Sequence, residues 1–269
     1  MSRINSPKDS LVRKKAATFG RLDVAPAYRV VFDRIEALIM EGRLKPGDVL
    51  PTETELAEQF DINRSTLREG IRLLEQNGLV ERGAAKRLTI AVPQILDLAA
   101  RVSRALTLYD VTFLELWEAY MALEPVAAEL AAARITPAEL AELEDNLREM
   151  TASRNDLSRF FDLDIEFHSL IAKAAHNRPL ELSRAPISIL MMPAARAILP
   201  KLKTYDRVIF AHRQILDALA NHDSARAGEW MRKHSWDFRR GYERIGFRAE
   251  ERLVEWGATS ARGSLDAGE

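Results

Sequence analysis

The stretch Asp164-Ile165-Glu166-Phe167-His168 puts a carboxylate and an imidazole four residues apart. On a helix that spacing is one turn along one face, a geometry suited to chelating a divalent ion. Taken alone the pair has a plainer explanation, because an Asp–His contact on a helix is more often an ordinary hydrogen bond. Two further imidazoles, His212 and His234, follow on later helical stretches. The chain has 5 His and no Cys, so disulfides, thiolate zinc fingers, iron–sulfur clusters and cysteine nucleophiles are excluded. Any metal must be held by His and carboxylate. A second constellation is Arg64-Ser65-Thr66-Leu67-Arg68, with two guanidinium forks one helical turn apart. Such forks match the paired acceptors of guanine, although an exposed Arg on a helix is usually only a solvated charge.

The elements that must position these groups fall into two halves. In the first, Val31, Ile35, Leu38 and Ile39 share one helical face over Tyr28 to Glu41, and Gly42 ends the helix. After the turn Lys45-Pro46-Gly47-Asp48, Thr52 and Glu55 form a capping box that opens a second short helix to about Phe60. Asn63 then caps a third helix, whose inner face is Leu67, Ile71 and Leu74 and which Asn77-Gly78 terminates. Leu79 to Arg82 and Arg87 to Val92 read as two strands of a hairpin around Gly83-Ala84-Ala85-Lys86. Three short helices closed by a hairpin is the layout of a winged helix-turn-helix, and it is equally compatible with a small helical interaction domain.

From Pro93 onward Ala, Leu and Glu dominate, with capping boxes at Thr112/Glu115 and Thr136/Glu139. The pattern predicts helices over 93–108, 112–134, 137–153, 157–176, 179–199, 204–220 and 223–245. Together they make an all-α antiparallel bundle of about 150 residues. Pro186 and Pro193 predict that the fifth of these is kinked or split. The fold class expected is therefore mainly α. A basic N-terminal arm occupies 1–25, the winged domain 26–92, a linker and first helix 93–105, the bundle 106–246 and a tail 247–269. Residues 1–92 carry 16 Lys/Arg against 13 Asp/Glu, a small basic excess concentrated in the arm, which suits phosphate contacts but is more often a solvated tail. No run approaches the roughly 18 apolar residues of a membrane span, and the first residues lack the apolar core of a secretory signal. The expectation is a cytoplasmic protein with no membrane partner.

Leu50-Pro51-Thr52-Glu53-Thr54-Glu55-Leu56-Ala57, then Asn63 to Glu69, then Leu73-Leu74-Glu75-Gln76-Asn77-Gly78-Leu79-Val80 closely resemble the N-terminal domain of GntR-type bacterial transcription regulators. Gly42 to Gly47 fits the same pattern. The resemblance implies contacts to bases or phosphates from Arg64 and Arg68, and to the DNA backbone from Ser65 and Thr66. The chain departs from the family twice. Thr54 stands where one branch has a further DNA-contacting Arg, and Gly83-Ala84-Ala85 replaces the usual glycine-rich wing tip, leaving Lys86 or Arg87 to touch DNA.

In the second half, Asp164, His168, His212 and His234 resemble in order and spacing the metal site of the FCD ligand-binding domain, found in the FadR subgroup of GntR regulators. Leu123-Glu124, Ala174 to Asn177, Ile215 to Leu219 and Met231 to His234 support the resemblance. It implies a divalent ion beside which an effector carboxylate binds. One carboxylate and three imidazoles suit zinc first, with nickel, cobalt or manganese also compatible. His176 and His222 are expected to be exposed, without a metal role. Where many FCD domains carry an Arg that grips the effector, this chain has Tyr120; Asn177 and Arg196 are the other effector-contact candidates.

The function this implies is a repressor that binds a pseudo-palindromic double-stranded DNA operator as a homodimer and answers to a small carboxylate effector. A metal-dependent hydrolase is the rival from another class, and a regulator whose metal is purely structural is the third reading.

Overall fold

The computed structural model describes residues 25–83, 87–202, 204–246 and 248. The basic arm, the Ala84-Ala85-Lys86 wing tip with its candidate Lys86, and the tail beyond residue 248 lie outside the described residues. The chain divides into two compact units at Val92/Pro93. It is mainly helical, a helix-turn-helix with a small hairpin followed by a helical bundle.

In the first unit α1 (Ala27–Met40), α2 (Glu53–Gln59) and α3 (Arg64–Gln76) precede an antiparallel pair, β1 (Val80–Arg82) and β2 (Leu88–Ile90), in register Val80↔Ile90. The Thr52/Glu55 capping box has both of its limbs, Glu55 N–H to Thr52 Oγ1 at 3.3 Å and Thr52 N–H to Glu55 Oε2 at 2.8 Å. Asn63 Oδ1 accepts from Thr66 N–H at 2.8 Å and fixes where α3 starts. The strands are shorter than the pattern predicts. Residues 48–50 partly compensate by adding a third edge: Leu50 N–H donates to Leu88 O, and Ile90 N–H to Asp48 O, both at 2.9 Å. Leu67, Ile71 and Leu74 are fully buried under α1 and the hairpin.

Gly70 makes the α1/α3 crossing possible. A Cβ there would lie 2.8 Å from the Val31 side chain and 2.9 Å from the Tyr28 carbonyl oxygen, so the backbones would have to separate. Gly70→Ala is expected to cost about 1–3 kcal/mol, the scale of overpacking a tight core, measured as a lower denaturant midpoint for the N-terminal transition. An unchanged midpoint would show that the crossing is loose.

The second unit contains α4 (Ile95–Leu108), α5 (Phe113–Arg134), α6 (Pro137–Ala152), α7 (Leu157–Ala174), α8 (Arg178–Leu202), α9 (Tyr205–Ala220) and α10 (Ser224–Arg244). Residues 95–105 of the expected linker are part of α4, which packs along α8. Buried Ser103 of α4 donates to the Pro186 carbonyl at 3.1 Å. Ala127, Ala128, Ala131 and Ala132 of α5 have no exposed surface, and their small size lets α10 and α7 approach closely.

Of the kink or split expected near Pro186 and Pro193, the split is corrected: α8 is one helix through Pro186, Pro193 and Pro200. Each proline removes one backbone donor, but packing on α4, α5, α7 and α10 keeps the helix continuous. By length and composition alone α8 is the one described helix long and apolar enough to cross a membrane, which modifies the expectation drawn from apolar runs. It also carries Arg184, 4% exposed and bound to buried Glu124, an arrangement that belongs to a bundle core.

Candidate metal centre and DNA-binding face

Asp164 and His168 lie one turn apart on α7, α9 supplies His212, and α10 supplies His234. One donor atom from each of the four lies within 4.8 Å of the other three. His234 Nε2 is 3.3 Å from Nε2 of both His168 and His212, and His212 Nε2 is 3.4 Å from Asp164 Oδ1. Nitrogen lone pairs converging at that distance repel unless a proton or a cation lies among them. Asp164 Oδ1 and His212 Nδ1 are buried without a hydrogen-bond partner among the described residues. A buried, orphaned carboxylate oxygen facing three imidazoles is the donor set a divalent ion satisfies, so the residues fit the ion that the FCD resemblance implies.

Electrostatics favours the same reading. Burial, reinforced by the neighbouring His234 and His168, pushes His212 well below its ordinary pKa, and burial with His168 brings His234 down to about 3. Both are therefore neutral at neutral pH, the form that offers a lone pair to a metal. Burial raises the Asp164 carboxyl above its usual range against the pull of His168.

Behind the cluster stands a residue whose role the sequence reading missed. Glu124 on α5 is completely buried; its Oε2 accepts from His168 Nδ1 at 2.9 Å and its Oε1 accepts from Arg184 Nε. Burial opposes its charge, but Arg184 and His168 outweigh burial and hold the carboxyl below its ordinary pKa. With its Nδ1 proton committed to Glu124, His168 is left with the Nε2 lone pair aimed at the cluster, the usual way an outer carboxylate orients a metal-binding His. The signal was present as a lone Glu in the apolar run Met121 to Ala128. Its partner on α8, 60 residues away, was not visible.

A cavity of about 250 Å³ opens beside the cluster, with Asp164, His168 and His234 in its wall. Its buried end holds Tyr120, Arg184 and Ser188, and Met191, Met192, Val208 and Phe238 make much of its side walls apolar. Ser188 Oγ is buried and has no partner among the described residues. The Tyr120 hydroxyl is 3.5 Å from His168 Nδ1, and burial, with Glu124 nearby, raises its pKa well above the ordinary value. Tyr120 therefore meets a ligand as a neutral phenol.

Of the candidates read from sequence, the structure brings together the four candidate metal ligands and lines the cavity with Tyr120. It does not bring Asn177 or Arg196 there, and both effector assignments are corrected. Asn177 Oδ1 accepts from Leu180 N–H at 3.2 Å at the start of α8, and Arg196 pairs with Asp162 at 2.9 Å on the outside. His176 and His222 are exposed, bonded to Glu139 and to the Ala132 carbonyl. Glu166, the general base a hydrolase would need, accepts from Asn146 Nδ2 at 3.2 Å.

On the first unit Arg64, Ser65, Arg68 and Arg87 are exposed, while Thr66 is half-buried. Arg68 Nε donates to Glu53 Oε2 at 3.0 Å, Arg82 donates to the other Glu53 oxygen at 3.0 Å, and Arg82 also reaches Glu75 at 2.7 Å. Glu53 thus ties the middle of α3 to the hairpin.

Residues 27–89 match the bacterial regulatory proteins of the gntR family, and residues 115–235 match the FCD domain. The chain is 30% identical to the HTH-type transcriptional regulator LutR of Bacillus subtilis, over 73% of this chain and 92% of that protein. It is 32% identical to the Glc operon transcriptional activator of Escherichia coli (62% of this chain, 67% of that one) and 28% identical to the galactonate operon transcriptional repressor of the same species (69% and 83%). Among solved structures, Streptococcus agalactiae GntR aligns over 79% of this chain and 99% of its own, with 29% identity and a TM-score of 0.57. The chain is a transcription regulator, not an enzyme, and belongs to the gntR family of bacterial regulatory proteins, in the FadR subgroup with an FCD C-terminal domain.

Proposed function

We propose that this regulator binds a pseudo-palindromic operator as a homodimer, with residues 63–77 of each copy in a major groove, and that a small anionic effector bound beside a divalent ion in the bundle sets operator affinity. The observation that carries the reading is the buried Asp164/His168/His212/His234 cluster, three of whose members, Asp164, His168 and His234, form part of the wall of a cavity that also holds Arg184. Zinc is the first choice of ion, and when bound it supplies a positive centre for an effector carboxylate. The chain's own residues do the rest. Glu124 orients His168 and neutralises Arg184, whose guanidinium still offers N–H donors to the cavity, and Tyr120 and Ser188 offer hydroxyls. The effector changes operator affinity only by favouring one bundle arrangement over another. Repression has no advantage over activation, since a repressor and an activator resemble this chain to nearly equal degrees.

The metal-centred reading is tested by thermal unfolding with and without a chelator across a panel of small carboxylates. An acid that raises the midpoint only in metal-loaded protein is the expected result. If chelation lowers the midpoint and no acid moves it, the ion is structural.

The DNA-binding assignment is tested separately, on DNA selected from genomic fragments by the protein itself. Arg64→Ala and Arg68→Ala are each expected to weaken binding by about 1–3 kcal/mol, read by fluorescence anisotropy; unchanged affinity would remove α3 from the groove.

A further inference from the structure

Among the described residues the charges around the cavity do not balance, and the imbalance lies at its exposed side. Among the described residues six charged side chains line it: Asp164, Asp237, Arg184, Arg207, Arg240 and Arg244. Arg184 is neutralised by Glu124 behind it, and Arg207 by Asp237 at 2.6 Å. Asp164 offsets half the charge of a divalent ion, leaving about one positive charge at the buried end. Arg240 and Arg244, one turn apart on the same face of α10, have no acidic partner among the described residues. Neighbouring Arg239, by contrast, is paired with Glu243 at 2.8 Å. Burial orders these groups by depth: Arg184, His168 and Ser188 Oγ are buried, whereas Arg240 and Arg244 are exposed. Between the two ends the wall is Met191, Met192, Val208 and Phe238.

We infer that the effector is a dianion with an apolar body: one anionic group at the buried end, toward the metal site, Arg184 and Ser188, and a second at the rim on Arg240 and Arg244. This rests on the metal-centred reading above and narrows it. A monoanion satisfies only the buried end and leaves two guanidinium groups facing the cavity uncompensated. A sugar acid, rich in hydroxyls, would desolvate them against methionine and phenylalanine.

The test is calorimetric titration of the zinc-loaded full chain with matched pairs, adipate against hexanoate and suberate against octanoate. The dicarboxylate of at least one pair is expected to bind roughly ten-fold more tightly, the scale of two partly exposed ion pairs. In the Arg240→Gln/Arg244→Gln variant that advantage should vanish while monocarboxylate binding stays unchanged. Both positions are exposed, so the variant keeps the fold. Equal binding of the two members of each pair, or a preference that survives the double substitution, overturns the dianion assignment alone. If no acid of either kind binds the zinc-loaded protein, the metal-centred effector site itself falls.

Discussion

Glu124→Ala is expected to destabilise the C-terminal unit by about 3–5 kcal/mol, the cost of leaving one partner of a buried ion pair alone. Glu124 has no exposed surface and divides its two oxygens between His168 and Arg184. Truncation strands Arg184, itself only 4% exposed, with a charge that cannot be shed. It also releases His168 Nδ1 from the acceptor that fixes its tautomer, so metal affinity is expected to fall about 10–100-fold. The two effects separate in the double variant Glu124→Leu/Arg184→Met. Removing both charges at similar volume recovers most of the stability, whereas metal affinity stays low because His168 still lacks its orienting carboxylate. Denaturant unfolding reports the first effect and competitive metal titration the second. A single variant within 1 kcal/mol of wild type would show that the pair is not desolvated as the structure has it.

What sequence could and could not reveal follows from the range of the interactions involved. The capping boxes at Thr52/Glu55, Thr112/Glu115 and Thr136/Glu139 were legible because each is closed within four residues, and the structure shows both limbs of all three. Asp164 and His168 were legible for the same reason. That His212 and His234 complete their cluster came from family likeness; no local rule brings α9 and α10 to α7. Arg196 reads as an effector candidate in the sequence and Arg184, which lines the cavity, does not, for a different reason. They are 12 residues apart on α8, about 120° around a helix at 3.6 residues per turn, so they cannot share a face. Because α8 is apolar on nearly every side, its pattern does not say which face turns inward. Its prolines misled likewise, since a propensity rule speaks for an isolated helix and α8 is held by four neighbours.

His212→Ala should separate the metal site from an ordinary buried histidine cluster. His212 is completely buried, stacks on Phe167 with ring centroids 4.1 Å apart, and presents Nε2 to both His234 and Asp164. Loss of an inner ligand is expected to weaken metal binding beyond the roughly 100-fold upper figure for an outer partner. At a metal concentration about 1,000 times the wild-type Kd, the ion stabilises the wild type by about 4.1 kcal/mol. A 100-fold weaker site gains only about 1.4 kcal/mol under the same conditions. The metal-dependent rise in the unfolding midpoint should therefore shrink by about two thirds or more. Under chelation the two proteins should lie closer together: the substitution opens a cavity beside Phe167 but also removes the unpaired Nδ1 and one of three mutually repelling nitrogens. His222→Ala is the control, because that ring is exposed and bonds the Ala132 carbonyl, away from the cluster; its metal response should match wild type. If His212→Ala retains full metal content by mass spectrometry and an undiminished metal-dependent midpoint, the ion is held elsewhere. The orphaned Asp164 oxygen would then need another explanation.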